Sequence, residues 1–377
     1  MKIGIDASLA SQLGSGTGRY AARLVPRLLA LDQENEYVLY FRERDRTDNP
    51  LFRLQNPRVR SRVIDAPLTL LRLHVHLAAW LKRDRVDLYH SLGFFLPWLW
   101  RGKSVVTIHD IHPVLFADYW RTPGTRTSYV VLRAHIPLSL RQASRICTPS
   151  SYVKQTICER FHVPPERILV TPHGADPFFL EAPTPKELAA GESRFGSGPF
   201  FLYVGALAPH KNLTGIARAF ARFRRHAGAD GTRLIIVGNP FGRYRESELV
   251  PLIRQLGLTQ RVVLAGFVDD VLLRALYRRA LALLLPSFAE GFGLPLLEAM
   301  ACGTPILTSK TTAMPETAGD AALYVNPYDH DEIAAAMERL CSDQPLRQQL
   351  AATGSARALS FSWDRTARQI LSAYRDL

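Results

Sequence analysis

Cysteine is scarce: the 377 residues hold four, Cys147, Cys158, Cys302 and Cys341, far apart and with no CxxC pair. Neither a disulfide framework nor a zinc site follows, and a reducing cytoplasm is the expected setting. Long apolar runs are also missing. Stretches such as Ala280–Pro286 stop far short of the ~20 residues that a spanning helix requires. Met1–Asp6 reads as a first core strand rather than a leader, since no apolar region or small-residue cleavage site accompanies it. Glycine and proline, 24 and 25, are too few and too aperiodic for a fibrous or low-complexity chain. What remains is a globular protein of about two domains, at roughly 150 residues each.

Acidic residues are outnumbered 34 to 47, and the excess positive charge is uneven. Residues 1–180 hold 25 Lys and Arg against 15 Asp and Glu, a net +10 out of the chain's +13. Such a half suits an anionic partner: nucleic acid, an acidic membrane surface or a phosphorylated substrate. The bland alternative is solvated arginine faces, because arginine outnumbers lysine 40 to 7.

Short β-branched runs alternate with helical patterns, which predicts an α/β protein with parallel sheets. Expected strands in the first half are Lys2–Asp6, Tyr37–Phe41, Arg60–Ile64, Asp87–His90, Ser104–His109, Arg145–Thr148 and Ile168–Thr171, with helices at Arg19–Leu31, Pro67–Arg83, Arg126–Arg141 and Ser151–Phe161. A second series runs through Phe200–Gly205, Leu234–Gly238, Val262–Gly266, Leu281–Pro286 and Pro305–Thr308. Between them, Pro172 to Pro199 has the composition of a linker region. Two doubly wound, Rossmann-like domains facing each other across a cleft are expected: residues 1–178 and 179–360, with a C-terminal helix (361–377) packing back on the first. Ligands of such sheets bind beyond the carboxyl ends of the strands.

Four segments could carry chemistry there. Gly14–Tyr20, ahead of a helix, lets backbone approach a phosphate. It lacks the G-x-G-x-x-G of a dinucleotide fold, Arg19 standing where the third glycine belongs. Thr107-Ile108-His109-Asp110 ends a strand, and its imidazole could meet a substrate hydroxyl or serve as a structural cap. Tyr203–Asn212 turns from a strand toward a helix with Lys211 at its start. Lysine opposes the helix dipole there, which is sensible if an anion such as a diphosphate lies between. In Pro286–Met300, Glu290 falls in a loop, Pro295 fits the first turn of a helix, and Glu298 follows one turn in. Gly291 and Gly293 leave amides clear for phosphate oxygens, while the two carboxylates can accept from sugar hydroxyls.

Other signals are weaker. Asp329-His330-Asp331 and Asp269-Asp270 read better as helix caps than as metal ligands, so no metal site is expected. The stretch from Leu68 to Leu81 reads as a core helix. The aromatic run Leu92–Trp100 either buries itself or faces a lipid acceptor. No nucleophile motif supports triad hydrolysis, and no helix-turn-helix, RNP-type or zinc pattern supports nucleic-acid binding.

Together with Thr148-Pro149-Ser150, Pro172-His173-Gly174 and Phe361-Ser362-Trp363, these segments resemble glycosyltransferase family 4, retaining enzymes of the GT-B fold. The resemblance covers nearly the whole chain and is most specific in the E-x7-E pattern of Glu290 and Glu298. The branch it looks most like is the bacterial mannosyltransferases of O-antigen and capsule assembly.

That resemblance implies a hexosyltransferase using a nucleoside diphosphate sugar, GDP-mannose foremost, and a glycan or lipid-linked glycan acceptor. Catalysis would fall to His109, Lys211 and Glu290. Glu298 would hold the donor ribose and Glu290 the sugar hydroxyls. Gly291 and backbone groups of Phe292, Gly293 and Leu294 would hold sugar and phosphate, Lys211 and Gly16 the diphosphate. The base would lie at Gly266-Phe267-Val268. No cofactor or metal is implied, and the expected location is cytoplasmic, peripheral at an anionic inner membrane face. One departure stands out: Ala206 and His210 occupy positions where relatives carry arginine, so His210 or another cation such as Arg243 would partner Lys211. Rival readings are a UDP-sugar transferase on a soluble acceptor and an NAD-dependent oxidoreductase.

Overall fold

A computed structural model describes residues 1–65, 71–115, 126–225 and 231–377. The chain divides into two compact units. The first comprises Met1–Leu115, Ser128–Gly174 and Ser362–Leu377, and the second contains Ala175–Phe361.

The first unit is built on seven parallel strands: β1 (Lys2–Asp6), β2 (Glu36–Phe41), β3 (Val59–Val63), β4 (Leu88–Ser91), β5 (Lys103–Thr107), β6 (Arg145–Thr148) and β7 (Ile168–Val170). Their order is 3-2-1-4-5-6-7, so the winding reverses between β1 and β4. β1 and β4 are almost wholly buried, as the near-continuous apolar runs of a sheet covered on both faces require. The helix Gly16–Leu31 buries Tyr20, Leu24 and Leu28 against the helix Trp363–Arg375, whose Trp363, Ala367, Ile370 and Tyr374 share the same core cluster. Each leucine or isoleucine among them contributes roughly 1.5–3 kcal/mol when fully buried.

The second unit repeats the design with β8 (Phe200–Val204), β9 (Arg233–Val237), β10 (Val262–Gly266), β11 (Leu283–Leu285), β12 (Ile306–Ser309) and β13 (Ala322–Val325) in the order 10-9-8-11-12-13. Here the winding reverses between β8 and β11.

Three local expectations are corrected. The region read as linker contains a helix, Pro185–Phe195, opened by a capping box in which Thr184 and Glu187 bond reciprocally. β13 has no counterpart in the sequence reading: it is four residues long, three of them half-buried at the sheet edge. The glycine-rich segment is largely helix, Ser15 capping at Gly18 N–H. A Cβ on Gly18 would lie 2.0 Å from the Gln12 carbonyl oxygen, so that glycine serves close packing. Of the helix expected at Pro67–Arg83, residues 67–70 lie outside the described residues; the rest forms a wide turn, Arg72–His76, and the helix Leu77–Arg83.

Candidate functional site

In the second unit the loops after β8 and β11 meet at the reversal of the sheet, where a doubly wound fold forms its crevice. The first loop makes a tight turn at Pro209–Lys211, and Asn212 follows with φ 59° before the helix Leu213–Phe223. Lys211 therefore precedes the helix by two residues rather than opening it. Asn212 Nδ2 donates to the carbonyls of Pro286 and Pro327 at 3.1 and 2.6 Å. Phe288 N–H donates to the His210 carbonyl at 2.9 Å. These bonds tie the two loops together and fix where Lys211 projects.

Lys211 Nζ donates to both oxygens of Glu290, at 2.6 and 2.7 Å. The two side chains are 14% and 8% exposed, so the pair is screened from water. Ser287 Oγ donates to Glu290 Oε1 at 3.0 Å, and Glu290 N–H donates to Thr312 Oγ1 at 3.0 Å. Thr312 adopts φ 57°, an uncommon conformation for a β-branched residue and a sign of local strain.

Gly293 has φ 87° and opens the helix Leu294–Ala301, with Pro295 in its first turn. Phe292 points its ring into the core against Phe361 and accepts from Thr317 through its carbonyl at 2.5 Å. Glu298 is buried one turn into the helix and accepts from Tyr277 OH at 2.9 Å. Val268 is likewise core, whereas Phe267 beside it is 51% exposed. Arg243 is exposed on the loop after β9, which bonds to the loop after β8 through Leu207 N–H to Asn239 O.

The structure thus assembles His210, Lys211, Glu290 and the Gly291–Leu294 turn at one sheet edge. Sequence reasoning missed Tyr277, Ser287 and Thr312. Ser287 stood in the quoted motif three residues before Glu290, whereas Tyr277 carried no local signal. The Asp329 carboxylate accepts from Asp331 and Glu332 N–H, and Asp331 pairs with Arg222 at 2.7 Å, as a helix cap does.

Gly16 and His109 belong to the first unit. Gly16 is the first residue of its helix. That helix brings Tyr20 edge-on to His109 at 4.6 Å, and His173 lies 5.5 Å from the same imidazole. His109 Nε2 contacts the Leu92 carbonyl at 2.9 Å. A carbonyl only accepts, so Nε2 carries the proton, and Nδ1, without a hydrogen-bond partner among the described residues, is a bare acceptor while the ring is neutral. Burial favours that neutral form, holding the His109 pKa below its ordinary value and that of His173 well below. His90 lies in a buried chain: its Nδ1 meets Tyr374 OH at 2.6 Å, its Nε2 meets Thr107 Oγ1 at 3.0 Å, and Thr107 meets Tyr20 OH at 3.1 Å. Burial brings its pKa down to about 3. Arg72 and Asp6 form an ion pair at 3.1 Å, both buried.

The model of the glycosyl transferases group 1 matches residues 186–357, and that of glycosyltransferase family 4 matches residues 14–178. The chain is 30% identical over 381 residues to the O-antigen chain mannosyltransferase B of Escherichia coli, covering 96% of each chain. Among solved structures, sucrose-phosphate synthase from Thermosynechococcus elongatus superposes with a TM-score of 0.79 at 21% identity, covering 100% of this chain and 98% of that one. Anabaena Alr3699/HepE in complex with UDP and glucose gives 0.77 at 20% identity, with both chains fully covered. These likenesses show the fold, two parallel-sheet Rossmann-like domains of GT-B type.

Proposed function

The chain belongs to the family 4 glycosyltransferases, and from that premise we propose that it is a retaining mannosyltransferase of cell-surface polysaccharide synthesis, using GDP-mannose and a lipid-linked glycan acceptor. The observation that carries the reading is the screened Lys211–Glu290 pair where the winding reverses between β8 and β11. A lysine and a carboxylate fixed side by side at a glycine-bearing turn suit a ligand with an anionic diphosphate next to a hydroxylated ring. A serine or cysteine nucleophile would not need such a pair. The relative with the name O-antigen chain mannosyltransferase B supports the sugar and the setting.

In this reading Lys211, with His210 or Arg243, balances the diphosphate, assisted by amides of the Gly291–Leu294 turn. Glu290 accepts from hydroxyls of the transferred sugar and Glu298 from the ribose. Val268 offers the base only its backbone, since its side chain is core. In the first unit, Gly16 offers backbone to an anion, and the bare Nδ1 of His109 can accept from a sugar hydroxyl. The acceptor oxygen bonds to the anomeric carbon on the face from which the diphosphate departs. The C–O bond to phosphate breaks, and the acceptor's proton passes to the leaving diphosphate oxygen. Charge building on that oxygen is stabilised by preorganised donors, and no divalent metal takes part.

A thermal-shift screen with GDP, UDP, ADP and NADH tests the reading. A site-specific ligand at 100 times its dissociation constant stabilises by about 2.7 kcal/mol. Stabilisation by GDP alone and mannosyl transfer that survives EDTA are expected. A response to UDP alone moves the donor to another sugar nucleotide, and a response to NADH alone removes the transferase assignment.

A further inference from the structure

Three segments of the first unit converge at one point of its surface. Trp98, in the loop after β4, stacks on His74 at 4.0 Å and on His135 at 4.9 Å, nearly parallel to both. His74 sits in the wide turn Arg72–His76 and His135 on the helix Arg126–Gln142, and their Nε2 atoms are 2.9 Å apart. The proton placement follows from the partners. His135 Nδ1 lies 2.7 Å from the Val131 carbonyl and must donate. Its Nε2 is then bare and accepts from His74 Nε2–H, and His74 Nδ1 accepts from Trp98 N–H at 3.3 Å. Every ring nitrogen is used with both imidazoles neutral, so the stack is a rigid seat for the Trp98 loop.

What that seat holds up is apolar. Trp98 and Leu99 are 43% and 52% exposed. On one side Leu71 and Val75, one helical turn apart, flank His74 and are exposed. On the other, Val130 and Leu138 stand two turns apart on the helix of His135, 50% and 41% exposed. The rest of the aromatic run behaves oppositely, with Leu92, Leu96 and Trp100 in the core.

On these three segments the charge is of one sign. Residues 71–83, 93–103 and 126–142 contain no Asp or Glu. Exposed Lys82, Arg83, Arg101, Arg133 and Arg141 lie on these same segments. Arg72 stands apart because it is buried against Asp6. Large apolar side chains with an indole at their centre and a basic rim match the acyl and headgroup layers of an anionic leaflet.

We propose that this face of the first unit, centred on Trp98 and Leu99, seats on an anionic phospholipid bilayer. The inference deepens the proposed function by naming the surface through which the membrane of a lipid-linked acceptor is met.

Flotation of the full chain with phosphatidylcholine vesicles, with and without phosphatidylglycerol, tests it. Binding only to the anionic vesicles is expected, accompanied by a blue shift of tryptophan emission. Trp98→Ser with Leu99→Ser, and separately Arg101→Glu with Arg141→Glu, should each weaken binding at least tenfold. Both variants should hydrolyse the nucleoside diphosphate sugar in free solution at the parent rate. Both replaced arginines are exposed, and the bond from Arg101 Nη1 to the Trp98 carbonyl at 2.8 Å lies at the surface, so the charge-reversal pair remains informative if the first pair misfolds. Absence of flotation, or binding unchanged in the charge-reversal variant, overturns the inference. So does a dimer in sedimentation that only the Trp98/Leu99 variant dissociates, since a second copy then covers the face. Failure of the parent chain to float while it still hydrolyses the donor refutes the docking surface alone; flotation of the parent without any sugar-nucleotide activity refutes the transferase reading alone.

Discussion

Replacing Lys211 by methionine keeps most of the side-chain volume and removes the charge that faces Glu290. The structure sets the scale. Two charge-assisted contacts at 2.6 and 2.7 Å are lost, and the Glu290 carboxylate, 8% exposed, is left with Ser287 as its side-chain donor. Breaking a buried ion pair from one side costs about 3–5 kcal/mol; the Ser287 bond keeps the expected loss near the lower figure, about 3 kcal/mol. Glu290→Gln alone strands the lysine and should cost a similar amount. The double variant removes both charges, and its stability should return to within about 1 kcal/mol of the parent. Four of the five tryptophans, Trp80, Trp98, Trp100 and Trp363, lie in the first unit, and Ala175–Phe361 contains none. Urea unfolding followed by far-UV circular dichroism should therefore register the loss, while tryptophan emission, weighted toward the first unit, shifts less. Turnover of Lys211→Met should fall on the order of 100–1,000-fold, the usual effect of deleting one preorganised electrostatic donor. Turnover within threefold of the parent would refute the diphosphate role, and stabilities that simply add in the double variant would refute the pairing energy.

Three other outcomes are expected. His90 is neutral in the folded state, with its pKa lowered from 6.5 to about 3, so the unfolded chain takes up the proton first on acidification. Stability of the first unit should be full above about pH 6.5 and decline between pH 6.5 and 3, with His90 alone contributing on the order of 5 kcal/mol at most; thermal midpoints read by tryptophan emission across that window check it, and a flat profile contradicts it. Tyr277→Phe removes the hydroxyl that Glu298 accepts from, with an expected stability loss of about 2 kcal/mol and a raised donor KM at nearly constant kcat; steady-state kinetics separate the two. Gly18→Ala should lower the melting temperature of the first unit, because the new Cβ meets the Gln12 carbonyl; an unchanged midpoint in calorimetry would show that the Gln12 turn yields freely.

The parallel sheets and the Lys211–Glu290 edge were legible because buried parallel strands read as continuous apolar runs and the motifs follow them directly. Asp329 and Asp269 were legible as caps, since a carboxylate ahead of an amphipathic run has one common local use. Other features depended on distant chain. Tyr277 reaches Glu298 across 21 residues, and no periodicity announces such a bond. Val268 lies in the loop expected to hold the base, but the strand–helix connection there turns its side chain into the core. At Pro185–Phe195 the proline-rich composition outweighed a capping box that stood in plain view, Thr184 with Glu187 three residues on. The aromatic run at Leu92–Trp100 could not be divided into inward and outward residues without the two histidines, 61 residues apart, that hold Trp98.

The return of Ser362–Leu377 to the first unit has a consequence for synthesis. That unit is interrupted by the whole of Ala175–Phe361, so a nascent chain completes the second core before the first. At about 5–20 residues per second, the first unit waits on the order of 10–40 s with Tyr20, His90 and the groove for Trp363 uncovered. During that interval its apolar surface is a target for chaperones and proteases, while the second unit already has every strand it needs. Mutations in the helix Trp363–Arg375 should accordingly lower yield in the cell more than they lower the equilibrium stability of protein that has already folded.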